Sequence, residues 1–407
     1  MTFRELLEKY KDGSATEEER ALVEAELEKS EAIADYLAEG LEILEEGGEA
    51  LPDSGAAARQ VRRTMNRRLR RTALWAAAIV LAAVLAVRFV VDPLVSSFYY
   101  QPNAQTVGQT EYSDVTFDLT ALYSLLVPGQ TMMGVQAEPL GFGRYTLTYT
   151  TEDWLTGERN QVSRTMNPGE YGTGGWITPA TQGGLDLLTM EAVAGMGKDL
   201  RNSNYGQETV DYLLQMPETS YLAVWVHFTE RLNPIGFAQL ETAYDGYRMD
   251  GTLSFRWAAV RMAEENQLIG YQTEDCPYVT AAPDQERYPM FSYTQMWEEM
   301  VGRSFTEKSR AQFKGSAAKE HFMTLLSYLA DRPEAVEALA GAVVSDGYYD
   351  FASIRDYVEE NGVEIYGALV YAQPSALLQM WEDGVIDGLS IQQVLPSRYS
   401  GSRDIRQ

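Results

Sequence analysis

A single cysteine, Cys276, occurs in 407 residues, so no disulfide can form within the chain. Histidine is nearly as scarce. His227 and His321 are the only two, too little for a histidine-based zinc or catalytic centre. Bases are also in deficit, with 33 Lys and Arg against 59 Asp and Glu and a net charge of −26. That balance excludes a direct nucleic-acid binder, which needs basic surface to displace counterions from phosphates. The G-x-S-x-G, H-E-x-x-H, P-loop and dinucleotide signatures are all missing. Ser316-Ala-Ala-Lys319 has the S-x-x-K form, but no K-T-G accompanies it, and only 25 residues lie between Lys319 and Ser345-Asp346-Gly347. It reads instead as an exposed helix with a capping serine. His227, within YLAVWVHFTE, reads as a core or interface histidine, and His321 as a surface one. No metal, cofactor or catalytic residue is assigned.

What the chain does have is unevenly distributed charge and one long apolar run. Residues 1–60 carry 17 acids and 6 bases, whereas 61–72 carry six arginines and no acid. Ala73 to Val91 is apolar except for Arg88. As a helix those 19 residues span about 28 Å, close to the ~30 Å thickness of the hydrocarbon layer. Arg88 lies one turn from the end, where it can snorkel to the headgroups. The run begins after 72 residues, which argues against a cleaved signal peptide. Arg62, Arg63, Arg67, Arg68, Arg70 and Arg71 all precede it, so the positive-inside rule places residues 1–72 in the cytoplasm and 93–407 outside. An exported region of that size, without disulfides, must be held by its own core. Cys276 then reads as a buried small hydrophobe.

The first sixty residues predict helices. Phe3, Leu6, Leu7 and Tyr10 form one short apolar stripe, ended by Gly13-Ser14. Thr16-Glu17-Glu18-Glu19 has capping-box form, and the helix it opens runs to about Glu46 before Gly47-Gly48. Val23, Leu27, Ala34, Leu37, Leu41 and Leu44 step along one face, widened by Leu22, Ile33 and Tyr36. A free helix would leave that face wet, so it predicts a protein-binding head. Leu22, Val23, Leu27, Tyr36, Leu37, Leu41 and Leu44 are the candidate partner-binding residues.

The segment LLEKYKDGSATEEERALVEAELEKSEAIADYL resembles the cytoplasmic domain of bacterial anti-sigma factors. Many of that group hold zinc through His-x3-Cys-x2-Cys; the matching positions here are Glu26, Ser30 and Ile33, so the resemblance implies a zinc-less head. Near the other end, YVEENGVEIYGALVY followed by PSALLQM is similar to the closing segment of the sigma factor regulator family of Gram-positive bacteria. The resemblance covers about residues 3–95 and 290–396. It implies a membrane-anchored anti-sigma factor, whose head sequesters a sigma factor at the cytoplasmic face. The exported part would then act as a sensor for an extracytoplasmic ligand or a membrane-protein partner. The alternative is a membrane-anchored enzyme acting on the cell wall, or a wall-binding module, with no transcriptional role. The 41 acids of residues 93–407 offer many carboxylate pairs for glycoside chemistry.

The expected architecture is α+β. A helical head occupies 1–60, and 61–92 hold the arginine-rich segment and the single span through the lipid bilayer. A stalk covers 93–113, a β-rich part 114–290, and an α/β part 291–407. Alternation and β-branched content predict strands at Tyr145–Thr150, Tyr221–Phe228 and Thr252–Val260. Helical periodicity from Thr294 to Leu339, interrupted near Gly302 and Gly315, precedes a helix–strand–helix–strand ending at Phe351–Glu360, Val363–Tyr371, Pro374–Trp381 and Leu389–Val394.

Overall fold

In the computed structural model, residues 16, 55–105, 112–169, 187–188, 200–262, 268–274, 278–344 and 349–398 are described. Apart from Thr16 and residues 55–60, the expected head lies outside them, as does Cys276. The chain divides into two compact units, Met1–Ala82 and Ala83–Gln407. Helix α1, Gly55–Ala86, contains all six arginines of residues 61–72 and the start of the apolar run. A wide π-turn, Val87–Val91, leads into the short helix α2, Asp92–Ser96. Pro93 explains the widening: in a regular α-helix its ring would strike the carbonyl four residues back. Together these pieces make Arg71–Ser96 one stretch of 26 residues, long and apolar enough to cross a membrane, and its apolar part is exposed throughout.

The second unit is α+β, as the patterning predicts, and is built on two sheets. Beyond α2 comes helix α3, Asp114–Leu126, with all thirteen residues buried. Strands β1 (Gln130–Gly141), β2 (Arg144–Asp153) and β3 (Arg159–Met166) follow as an antiparallel three-stranded sheet. The expected strand Tyr145–Thr150 is the middle of β2, whereas β1, β3 and α3 are findings of the structure.

The five-stranded sheet has the order β6-β5-β7-β4-β8, with all neighbours antiparallel. Its members are β4 (Tyr221–Leu232), β5 (Leu253–Val260), β6 (Ile269–Gln272), β7 (Ile365–Ala372) and β8 (Ile386–Leu395). The predicted strands at 221–228 and 389–394 fall in β4 and β8, and those at 252–260 and 363–371 overlap β5 and β7, beginning one and two residues early. One sheet therefore draws strands from both sides of residue 290. Every residue of the central strand β7 is buried, as expected for a strand covered on both faces.

The two-residue period sorts side chains to opposite faces. Val224, Val226, Phe228, Phe255, Ala368 and Val370 join the larger core. The helices after α3 are α4 (Gln207–Leu213), α5 (Pro234–Ala243), α6 (Asp245–Met249), α7 (Thr294–Met300), α8 (Glu307–Ala330), α9 (Pro333–Val344), α10 (Phe351–Asn361) and α11 (Pro374–Glu382). Helices cover that face: α5 contributes Phe237, α8 Phe322 and Leu325, and α11 Leu377 and Met380. Pro374 opens α11, where a proline's missing N–H costs nothing. Trp225, Trp257, Leu369 and Tyr371 form the other face with Trp154, Leu155, Leu187 and Leu188. The Trp225 and Trp257 rings meet edge to face at 5.7 Å.

Three expectations in the helical segment are corrected. Gly315 does not interrupt the helix; it lies inside α8, and a Cβ there would come within 2.5 Å of the Ile235 backbone. The α8 and α5 backbones approach closely there, so its role is packing, not termination. Ser316 is exposed but sits well inside α8, whose N-cap is Thr306, accepting from the Ser309 amide. His321 is buried, not on the surface: Nδ1 donates to the Met290 carbonyl at 2.9 Å and the ring packs on Tyr293. Burial pushes its pKa down to about 4. His227 is buried, as expected, beside Asp387 at 2.5 Å.

Candidate functional site

The chemistry of the second unit concentrates where the apolar helix ends. Two polar assemblies meet there. The first is a clamp. The Asp92 carboxylate accepts the Phe142 amide at 2.5 Å, pairs with Arg88, and accepts the Ser96 hydroxyl at 3.2 Å. Ser96 Oγ in turn accepts the Gly143 amide at 2.9 Å. Two consecutive backbone N–H groups of the β1–β2 hairpin thus end on two side chains one helical turn apart. Asn103 adds a third tie, donating to the Ala137 carbonyl at 2.6 Å.

The hairpin tip is shaped to permit this. Phe142 and Gly143 both have positive φ, at 55° and 73°, which is the backbone of a two-residue type I′ turn. A Cβ on Gly143 would lie 2.8 Å from the Tyr99 ring, so glycine is required there by space as well as by conformation. A Cβ on Gly141 would reach 3.3 Å from the Asp92 carboxylate.

The second assembly is a buried charge network on α3. Asp118, fully buried, accepts from Tyr100 at 2.6 Å, Tyr328 at 2.8 Å, and Arg332 through Nε at 2.6 Å and Nη2 at 3.0 Å. Arg332 also reaches Asp114 at 3.2 Å. Burial raises the Asp118 pKa above the ordinary carboxyl value, against the hydrogen bonds that stabilise its charge. Burial also opposes the charge on Arg332, but the bonds to Asp118 outweigh it and the guanidinium stays ionised. Breaking such a pair from one side leaves an uncompensated charge in the core.

Tyr100 joins the two assemblies in sequence. It sits four residues beyond Ser96, and its buried phenol ends on Asp118. The path from the helix into the core is further fixed by the Asp114 and Val115 amides, which donate to the Ala104 and Pro102 carbonyls. Alongside lies a cleft of about 560 Å³ whose lining includes Tyr99, Tyr100, Asp114, Arg332 and Glu334. A ligand there would touch the network and the helix exit together.

The sequence-predicted site residues fall elsewhere. Leu22, Val23, Leu27, Tyr36, Leu37, Leu41 and Leu44 lie outside the described residues. Arg62, Arg63, Arg67, Arg68, Arg70 and Arg71 lie on α1 ahead of the apolar stretch. Asp92, Ser96, Tyr100, Asp118 and Arg332 were missed. A signal existed for Asp118, an acid between Phe117 and Leu119 in a segment rich in Leu, Val and aromatic residues, since a buried charge demands a partner. Nothing in the sequence pattern names Arg332 as that partner, 214 positions away.

Residues 213–393 match the family model described as sigma factor regulator C-terminal. No curated protein and no solved structure matches the chain. The matched residues take in all of the five-stranded sheet but the last two residues of β8, while α3, the three-stranded sheet and the clamp precede them.

Proposed function

We propose that this chain, a member of the sigma factor regulator family through residues 213–393, is a membrane-anchored anti-sigma factor under the control of an exported sensor. It is an anti-sigma-factor-type regulator, and the family is a regulatory one, not known for enzymatic activity. The finer reading assigns the parts. The head, residues 1–60, holds a sigma factor at the cytoplasmic face through Leu22, Val23, Leu27, Tyr36, Leu37, Leu41 and Leu44. Its 17 acids against 6 bases suit a partner that must present basic surface to DNA, raising the on-rate and fixing orientation. The six arginines keep that head inside, and the helix Arg71–Ser96 carries the connection across the bilayer.

The observation that carries the reading is that one unit combines a sigma-regulator domain with a polar grip on the end of an apolar helix. Such a grip gives the exported part something to pull or turn. A ligand or membrane-protein partner acting at the cleft beside Arg332 would bias the Tyr100–Asp118 bond, and with it the seating of the helix.

The test is transcriptional. Leu37→Asp with Leu41→Asp removes apolar contact from the head, and a reporter driven by the cognate sigma factor should rise to the level of a strain lacking the protein. Unchanged reporter output at normal expression would sink the assignment.

A further inference from the structure

The tip of the β1–β2 hairpin is built unusually for a turn in water. In a type I′ turn both central positions favour Gly, Asn or Asp, because φ is positive. Here the first is Phe142, a bulky residue for which that conformation is a true outlier. Its ring is not buried to compensate: Phe142 is 44% exposed, and its neighbour Leu140 is 47% exposed. Two residues beyond Phe142, Arg144 is exposed and has no ion pair among the described residues. Two apolar side chains and an uncompensated cation therefore occupy five positions at the end of a strained turn.

Location gives this composition a meaning. The Phe142 amide bonds Asp92, which immediately follows the apolar stretch ending at Val91, so the turn lies at the depth where the helix leaves hydrocarbon. The apolar surface continues past that point, with Leu94 and Phe98 exposed on the helix side. A cleft of about 260 Å³ between helix end and hairpin is lined by Arg88, Arg144, Phe89 and Tyr145. Arginines over apolar or aromatic groups suit the phosphate layer above acyl chains.

We infer that the hairpin tip is a second membrane contact, with Phe142 and Leu140 inserted among the lipid chains and Arg144 against the phosphates. The exported unit would then rest on the bilayer surface through β1 and β2, and the strained turn is held because the aromatic ring is needed at its apex. A change in the three-stranded sheet would move the ring and the helix end as one piece. This inference rests on the reading that Arg71–Ser96 crosses the bilayer, and the experiment separates the two.

The full-length chain, with Cys276→Ser, is reconstituted in vesicles of phosphatidylcholine and phosphatidylglycerol and spin-labelled singly at Phe142→Cys, Leu140→Cys, Val84→Cys or Glu158→Cys. Each labelled protein is first shown to keep the unlabelled melting temperature, and Leu140→Cys leaves the turn backbone untouched. Accessibility to oxygen and to a water-soluble nickel chelate is then measured by power saturation. The labels at 142 and 140 should lose most of the nickel accessibility seen at Glu158, in the β2–β3 turn, and approach Val84. Labels at 140 and 142 that match Glu158 while Val84 stays shielded would overturn the inference and leave the span intact. Nickel access at Val84 would overturn both.

Discussion

The two sheets of the second unit are made on opposite terms. In the five-stranded sheet every residue of β7 is buried, Trp225 and Trp257 fill one face, and the family match covers nearly all of it. In the three-stranded sheet β3 is mostly exposed, and β1 alternates towards a tip that projects two apolar side chains. Stability belongs to the first, whereas connection to the helix belongs to the second. The first is a packed body, and the second an arm that ties it to the end of the apolar helix.

That contrast can be broken most severely in the rigid sheet. Trp257→Ala removes a fully buried ring and its Nε1 donation to the Ser124 carbonyl, and should cost about 4 kcal/mol, read as a large fall in melting temperature of the detergent-solubilised chain. A loss below about 1 kcal/mol would mean that this sheet is not the stabilising body. A smaller, pH-dependent effect belongs to the helical layer. Unfolded, His321 takes up a proton below about pH 6.5; folded, it does so only near pH 4. Its contribution to stability is therefore full above pH 6.5 and falls as pH drops towards 4, by at most about 1.4 kcal/mol per pH unit. His321→Gln should flatten the melting profile between pH 6.5 and 4; an unchanged slope would show that another group dominates. Smallest in stability is the arm. Ser96→Ala deletes the acceptor of the Gly143 amide at a cost of about 1 kcal/mol, barely moving the melting temperature. Reporter induction by the natural envelope signal should nevertheless fall. Normal induction would uncouple the clamp from signalling.

The same contrast governs what the sequence disclosed. Strands β4, β5 and β7 were legible because their β-branched and aromatic runs serve one local purpose, filling the buried middle of a sheet, and the edge strand β8 because Leu389, Ile391 and Val394 keep enough apolar content. The apolar helix was legible because composition alone defines it, although its continuation to Ser96 through Pro93 was not. β1 and β3 escaped notice because their faces are largely wet, and a strand such as RNQVSRTM carries almost no apolar alternation. α3 was hidden for the opposite reason: a helix buried all round has no polar face to give it a period. Gly315 was misread because a glycine that permits close packing looks, in one dimension, like a glycine that breaks a helix. The clamp and the Asp118 network were invisible because each joins residues far apart in the chain. The head remains an expectation drawn from its leucine spacing.

The π-turn at Val87–Val91 carries a consequence of its own. A helix advances about 100° per residue, so the number of residues between α1 and Asp92 sets the direction in which that carboxylate points. One residue fewer in the turn would swing Asp92 and Ser96 roughly a quarter of a revolution away from the two amides awaiting them. The seating of the hairpin on the helix end is thus decided by counting as much as by chemistry, and a rotation of the helix about its own axis would break this junction.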